Sequence, residues 1–86
     1  MQLVFSPQGW EDYQYWLHTD KQMLNRINEL VKDCLRNPFT GIGKPEKLKG
    51  NLSGLYSRRI NDEHRLLYDV TPNGIVIMQC RFHYSK

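Results

Sequence analysis

The stretch LYSRRINDEHRLLYDVTPNGIVIMQCRFHY, residues 55–84, decides the fold. Two turn signals cut it into three runs. Asn61-Asp62-Glu63 separates Leu55–Ile60 from His64–Val70, and Thr71-Pro72-Asn73-Gly74 leads into a third run from Gly74 to about Tyr84. Each run is rich in branched and aromatic side chains, and connections this short join strands that run antiparallel. The segment predicts an antiparallel meander.

Strand alternation then assigns faces. In the last run Val76, Met78, Cys80, Phe82 and Tyr84 share one side and are expected to meet the core, which turns Ile75, Ile77, Gln79, Arg81 and His83 to the open side. In the middle run Leu66, Tyr68 and Val70 take the core side, leaving Arg65, Leu67 and Asp69 open. Ile60 as a core residue turns Arg59 and Ser57 the same way. Parity thus places Arg59, Arg65, Arg81 and His83 on one uncovered sheet face. A three-residue loop sets Arg59 directly opposite Arg65, where like charges repel unless something negative sits between them; a two-residue turn would offset the pair.

Upstream lies NPFTGIGKPEKLKGNLSG, residues 37–54, which carries prolines, several glycines and no sustained period. A connection of this length inside a small domain is uncommon and usually functional. Within it Glu46 stands among Lys44, Lys47 and Lys49. Further upstream, Met23, Leu24, Ile27, Leu30, Val31, Cys34 and Leu35 recur at helical intervals between a capping Asp20 and the stop Asn37-Pro38. A preceding helix from about Pro7 to His18 starts at Ser6-Pro7, with Trp10, Tyr13, Trp16 and Leu17 as its apolar side. Leu3–Phe5 reads as a first short strand. The helices are separated by a residue or two and so form an antiparallel hairpin over one face of the sheet. The fold class is α+β, as a single domain over residues 1–86.

Composition narrows the function. The net charge of +3 is uneven: residues 1–43 carry four Lys/Arg and five Asp/Glu, residues 44–86 eight and four. That excess points to a polyanion or an acidic protein as partner. Cys34 and Cys80 fall in no metal-ligand spacing, no carboxylate cluster has one, and both thiols are expected to pack as small hydrophobes in a reduced compartment. No apolar run approaches a membrane span and the start lacks the pattern of a signal peptide, so a cytoplasmic protein with no membrane attachment is expected.

Arginines around one face suit phosphate, because the guanidinium fork holds two oxygens at once. RNA supplies its own nucleophile in the 2′-hydroxyl. A nuclease without metal needs only a base, a cation for the charge gathering on phosphorus, and an acid for the leaving 5′-oxygen. Glu46 is the candidate base and His83 the candidate acid; His18 and His64 have no comparable company and read as structural or solvent-facing.

At these residues the chain resembles a known family. GKPEKLKGNLSG, YSRRI, EHRLLYDV and the terminal CRFHY, with WEDYQYWLHTDK and INELVKD before them, are similar to the YoeB toxins of the RelE/ParE superfamily, encoded in type II toxin–antitoxin pairs. The resemblance runs through nearly the whole chain. It implies a RelE-like microbial RNase fold and a ribosome-dependent mRNA endonuclease that cuts the codon in the ribosomal A site, without a cofactor. It assigns Glu46 as general base, His83 as general acid, Arg65 as stabiliser of the transition state, Lys49 and Arg59 as phosphate contacts, and Tyr84 as a tyrosine needed for full activity. Arg81 has no family role and is expected to touch RNA. Implied partners are an acidic YefM-type antitoxin, the 70S ribosome with its mRNA, operator DNA bound only by the toxin–antitoxin complex, and a second copy of the chain. Tyr56 stands where relatives carry tryptophan, and Ser85-Lys86 extend beyond the tyrosine. Two rival readings are a gyrase poison of the ParE type and a non-catalytic module that binds RNA or antitoxin.

Overall fold

Two polar side chains start the helices. The Ser6 hydroxyl accepts a hydrogen bond from the Gly9 N–H (3.0 Å), and Asp20 accepts from the N–H groups of Gln22 and Met23, each satisfying donors that a first helical turn leaves unpaired. The computed structural model describes residues 1–83. Its elements are β1 (Gln2–Phe5), α1 (Pro7–Thr19), α2 (Lys21–Arg36), β2 (Glu46–Lys47), β3 (Leu55–Arg59), β4 (Arg65–Thr71) and β5 (Gly74–Gln79), with a 3-10 turn at Gly50–Leu52. Asp20 alone separates the helices, as the short connection predicts.

The five strands form one sheet in the order β1-β5-β4-β3-β2. The meander is antiparallel, while β1 runs parallel to β5, and the helices carry the chain from β1 to the far edge of the sheet at β2; the α+β class holds with a mixed sheet. Among the described residues no helix is long and apolar enough to cross a membrane. The helix side of the sheet supplies Leu66, Tyr68, Ile75 and Ile77 to a core shared with Trp16, Leu24, Ile27, Leu30, Val31 and Cys34. Each large apolar side chain fully buried there contributes roughly 1.5–3 kcal/mol.

Alternation misassigned β5. Ile75 and Ile77 are in the core, and Val76 and Met78 are not. The register gives the reason: Tyr68 faces Ile77 but Leu67 faces Gln79, so Met78 is an extra residue in the ladder and parity reverses at the bulge. Cys80, beyond it, is buried as expected. Trp10 and Leu17 are likewise exposed, because α1 turns Gly9, Asp12 and Trp16 to the sheet. That face is built for close approach: a Cβ on Gly9 would lie 2.3 Å from the Ile77 carbonyl oxygen. Trp10 stacks instead on Tyr13 and meets the edge of Phe5.

The first part of the 37–54 connection, residues 37–42, is wound around a cation. Arg58 is completely buried on the core side of β3 and donates to Asp33 (2.6 Å), to the carbonyls of Asn37, Thr40 and Ile42, and to the Tyr68 hydroxyl. Burial works against its charge, yet the bonds to Tyr68 and Asp33 outweigh that and hold the guanidinium charged. Hydrogen bonding from Arg58, then the Ile42 N–H, keeps the Asp33 carboxyl below its usual range.

Candidate active site

The hairpin between β3 and β4 sets the first part of the site. Ile60 and His64 bracket the three-residue turn, and the register places Arg59 directly opposite Arg65. Two rows of the ladder then fix one face: Glu46 pairs with Ser57 and Ser57 with Leu67, and side chains of paired residues share a side. Glu46, Ser57, Arg59, Arg65 and Leu67 therefore stand on the face away from the helices. Across two strand spacings and two residues of offset, the Glu46 and Arg65 backbones are about 12 Å apart in a straight line.

The like charges at Arg59 and Arg65 are relieved by carbonyl dipoles. The Arg65 guanidinium donates to the carbonyls of Asn61 (2.7 Å) and His64 (3.1 Å), which holds its head over the turn. Arg59 is exposed. Its N–H is given to the Gly43 carbonyl (2.6 Å), tying the strand to the loop that carries Glu46. Glu46 and Lys49 line a groove of about 460 Å³ with Asn51, beside the 3-10 turn.

His83 is brought in from another direction. The Arg65 N–H donates to the Phe82 carbonyl (3.0 Å), so the residue before His83 is fixed against the start of β4. His83 is exposed and lines a second groove with Gln8, Asp12 and Arg81, at the end of the sheet beside α1. The expectation that Arg81 and His83 share the open face with the arginine pair is thus corrected. The Arg81 guanidinium lies 3.5 Å from the centre of the Tyr15 ring of α1 and 4.5 Å from that of Phe82, a cation held between aromatic faces. The chain leaves the ladder after Gln79 and turns at Phe82, so the alternation rule has no strand to act on. Tyr84 lies outside the described residues.

The structure therefore unites Arg59 with Arg65, Arg65 with the backbone that leads to His83, and Glu46 with Lys49; Glu46 and His83 line separate grooves. Asp12, which the sequence did not single out, and Ser6 and Trp16, read there only as helix start and apolar side, hold this arrangement in place. Where the ladder ends, Asp12 accepts from the Cys80 N–H (3.0 Å), Trp16 donates to the Cys80 carbonyl (2.8 Å), and Ser6 donates to the carbonyl of the bulged Met78 (2.8 Å). A carboxylate at residue 12, inside an otherwise aromatic stripe, is the sequence signal that could have found the first of these. Burial pushes the Cys80 thiol up to about 12, with the Asp12 carboxylate adding to it, so the thiol is inert. Among the described residues no group of three or more His, Cys, Asp or Glu is placed to hold a metal ion.

A carboxylate and two guanidinium groups on one face, with an exposed imidazole in a second groove, are groups that can do acid–base work on a phosphodiester. Comparison with known proteins shows what the chain is similar to. Residues 5–84 match the model of the YoeB-like toxins of bacterial type II toxin–antitoxin systems. Toxin YoeB of Escherichia coli K12 is 56% identical over 84 residues, covering 98% of this chain and 100% of that protein. The YoeB/ParE toxin from Agrobacterium tumefaciens superposes with a TM-score of 0.94 at 46% identity, covering 98% of this chain and 100% of its own. The YoeB of Staphylococcus aureus, solved both in a heterotetrameric YoeB–YefM complex and as a dimer, superposes with a TM-score of 0.90 at 56% identity, with 98% of each chain covered.

Proposed function

Because the chain belongs to the YoeB-like toxins of bacterial type II toxin–antitoxin systems, we propose that it is an mRNA endonuclease that works in the A site of the 70S ribosome and stops translation. The observation that carries this reading is the Arg59–Arg65 pair, with Glu46 on the same face and the backbone leading to His83 bonded to the Arg65 N–H. Glu46 removes the proton of the RNA 2′-hydroxyl. Arg65 and Arg59 neutralise the charge that gathers on the phosphorus oxygens, Lys49 holds a neighbouring phosphate, and His83 protonates the departing 5′-oxygen. Tyr84, next to His83 in the chain, is assigned as a tyrosine needed for full activity. Arg81, stacked on Tyr15 and Phe82, presents an aromatic-backed cation to RNA at its edge.

A site split between two grooves suits an enzyme that acts only when its substrate is held in place. The ribosome supplies that placement. The proposed partners follow from chemistry and from the relatives: an acidic YefM-type antitoxin drawn to the basic half of the chain, operator DNA reached only through that complex, and a second copy of the chain, all in the cytoplasm. No cofactor is required for the steps described.

The test is cleavage of a defined mRNA by the purified protein, with and without programmed ribosomes, with both new ends mapped. The expected product is a cut within the A-site codon, leaving a cyclic or 3′-phosphate and a 5′-hydroxyl, only when ribosomes are present. No cut under either condition would overturn the nuclease reading in favour of a gyrase poison or a non-catalytic binding module, and DNA supercoiling would separate those two.

A further inference from the structure

After Gln79 the chain has no ladder to hold it, yet residues 80–83 keep a defined course. Cys80 is fixed from α1 by Asp12 and Trp16. Phe82 is fixed from the hairpin: its N–H donates to Nδ1 of His64 (2.7 Å), and its carbonyl accepts from the Arg65 N–H. Phe82 has a φ of 62°, in the left-handed region that a bulky aromatic rarely enters, so something outside the residue must hold it there.

His64 is suited to that task. The residue is 8% exposed, and its ring meets Trp16 edge to face at 4.9 Å, so it cannot turn freely. Its own N–H is taken by the Asn61 side chain (2.7 Å), which locks the backbone below it. Accepting a hydrogen bond at Nδ1 requires the neutral imidazole with its proton on Nε2, and Glu63 Oε1 lies 3.6 Å from that nitrogen.

We infer that His64 is a positioning residue: through Nδ1 it sets the backbone of Phe82, and hence the direction in which His83 leaves the fold, without itself touching RNA. This rests on the proposed nuclease function for its catalytic consequence, but not for its structural one. Two amides separate the atom that matters from mere bulk. In His64→Asn the side-chain oxygen sits the same number of bonds from Cα as Nδ1 and can accept from Phe82; in His64→Gln it sits one bond further out.

The experiment compares wild type, His64→Asn and His64→Gln by ribosome-programmed cleavage and by amide NMR. The Gln variant should lose roughly 10–100-fold in cleavage rate at saturating ribosomes, with little change in the concentration that half-saturates. The Asn variant should keep most of the rate. The Phe82 amide should resist exchange in wild type and Asn and exchange rapidly in Gln. Equal rates and equal Phe82 protection in the two variants overturn the inference. Should wild type fail to cleave, the functional reading falls, and the Phe82 amide still decides this one. Should both variants fail to fold, nitrogen-15 NMR of wild-type His64 decides it: a proton on Nε2 and a coupling from Nδ1 to the Phe82 amide support it, and a proton on Nδ1 contradicts it.

Discussion

Arg65 serves two masters, the turn carbonyls that hold its head and the Phe82 carbonyl that its backbone N–H binds. Replacing the side chain keeps the second contact, so Arg65→Ala should preserve the fold while abolishing toxicity, with equal protein levels checked by immunoblot. His83→Gln should do the same, lowering the cleavage rate by roughly 10²–10⁴-fold, the usual worth of a general acid. Glu46→Ala should lose less if flanking groups or ribosomal RNA take the proton. Unchanged toxicity in any of these variants removes that residue's role. The shared face of the arginine pair was legible in the sequence from Ile60 and the Leu66/Tyr68 alternation; the register that sets them directly opposite was not, because the turn could have held two residues or three. The company of Arg81 was not, since its partner Tyr15 is an α1 residue 66 positions earlier with no pattern linking the two.

At the scale of elements, two contacts carry more than their sequence suggests. Gly9 lets α1 rest on β5, and Gly9→Ala forces a Cβ to 2.3 Å from the Ile77 oxygen. The helix must lift, at a cost of about 1–3 kcal/mol, which a shift in the urea midpoint would report. Arg58→Met leaves the carbonyls of Asn37, Thr40 and Ile42 without their donor. A loss of roughly 3 kcal/mol is expected, with the 37–44 loop opening first to limited proteolysis. A stability within experimental error of wild type would show that the loop holds itself. The helices were readable from Ser6, Asp20 and their apolar intervals. The faces of β5 were not, because Ile75-Val76-Ile77-Met78 is apolar on both sides and a bulge carries no sequence mark of its own.

The whole molecule is a small core with buried groups that must stay protonated. Burial pushes Tyr68 up from 10.0 to about 12, against the Arg58 hydrogen bond, and Cys80 from 9.0 to about 12. The unfolded chain releases these protons first. Stability should therefore be intact below about pH 9 and fall between about pH 9 and 12, read as urea midpoints across that range. Both thiols should resist a thiol reagent in the native protein and react on unfolding. The overall α+β layering was legible from the order of periodic segments; the mixed sheet was not, since nothing local in Gln2–Phe5 says which edge it joins.

In the proposed mechanism this surface turns the RNA's own 2′-hydroxyl on the adjacent phosphate. Replacing one nucleotide, on the 5′ side of the scissile bond in the A-site codon, with its 2′-deoxy counterpart on programmed ribosomes removes that nucleophile and nothing else. Intact mRNA should be cut and the deoxy-substituted mRNA should survive at that bond. Cleavage of both at similar rates would contradict the mechanism, because the nucleophile would then have come from elsewhere.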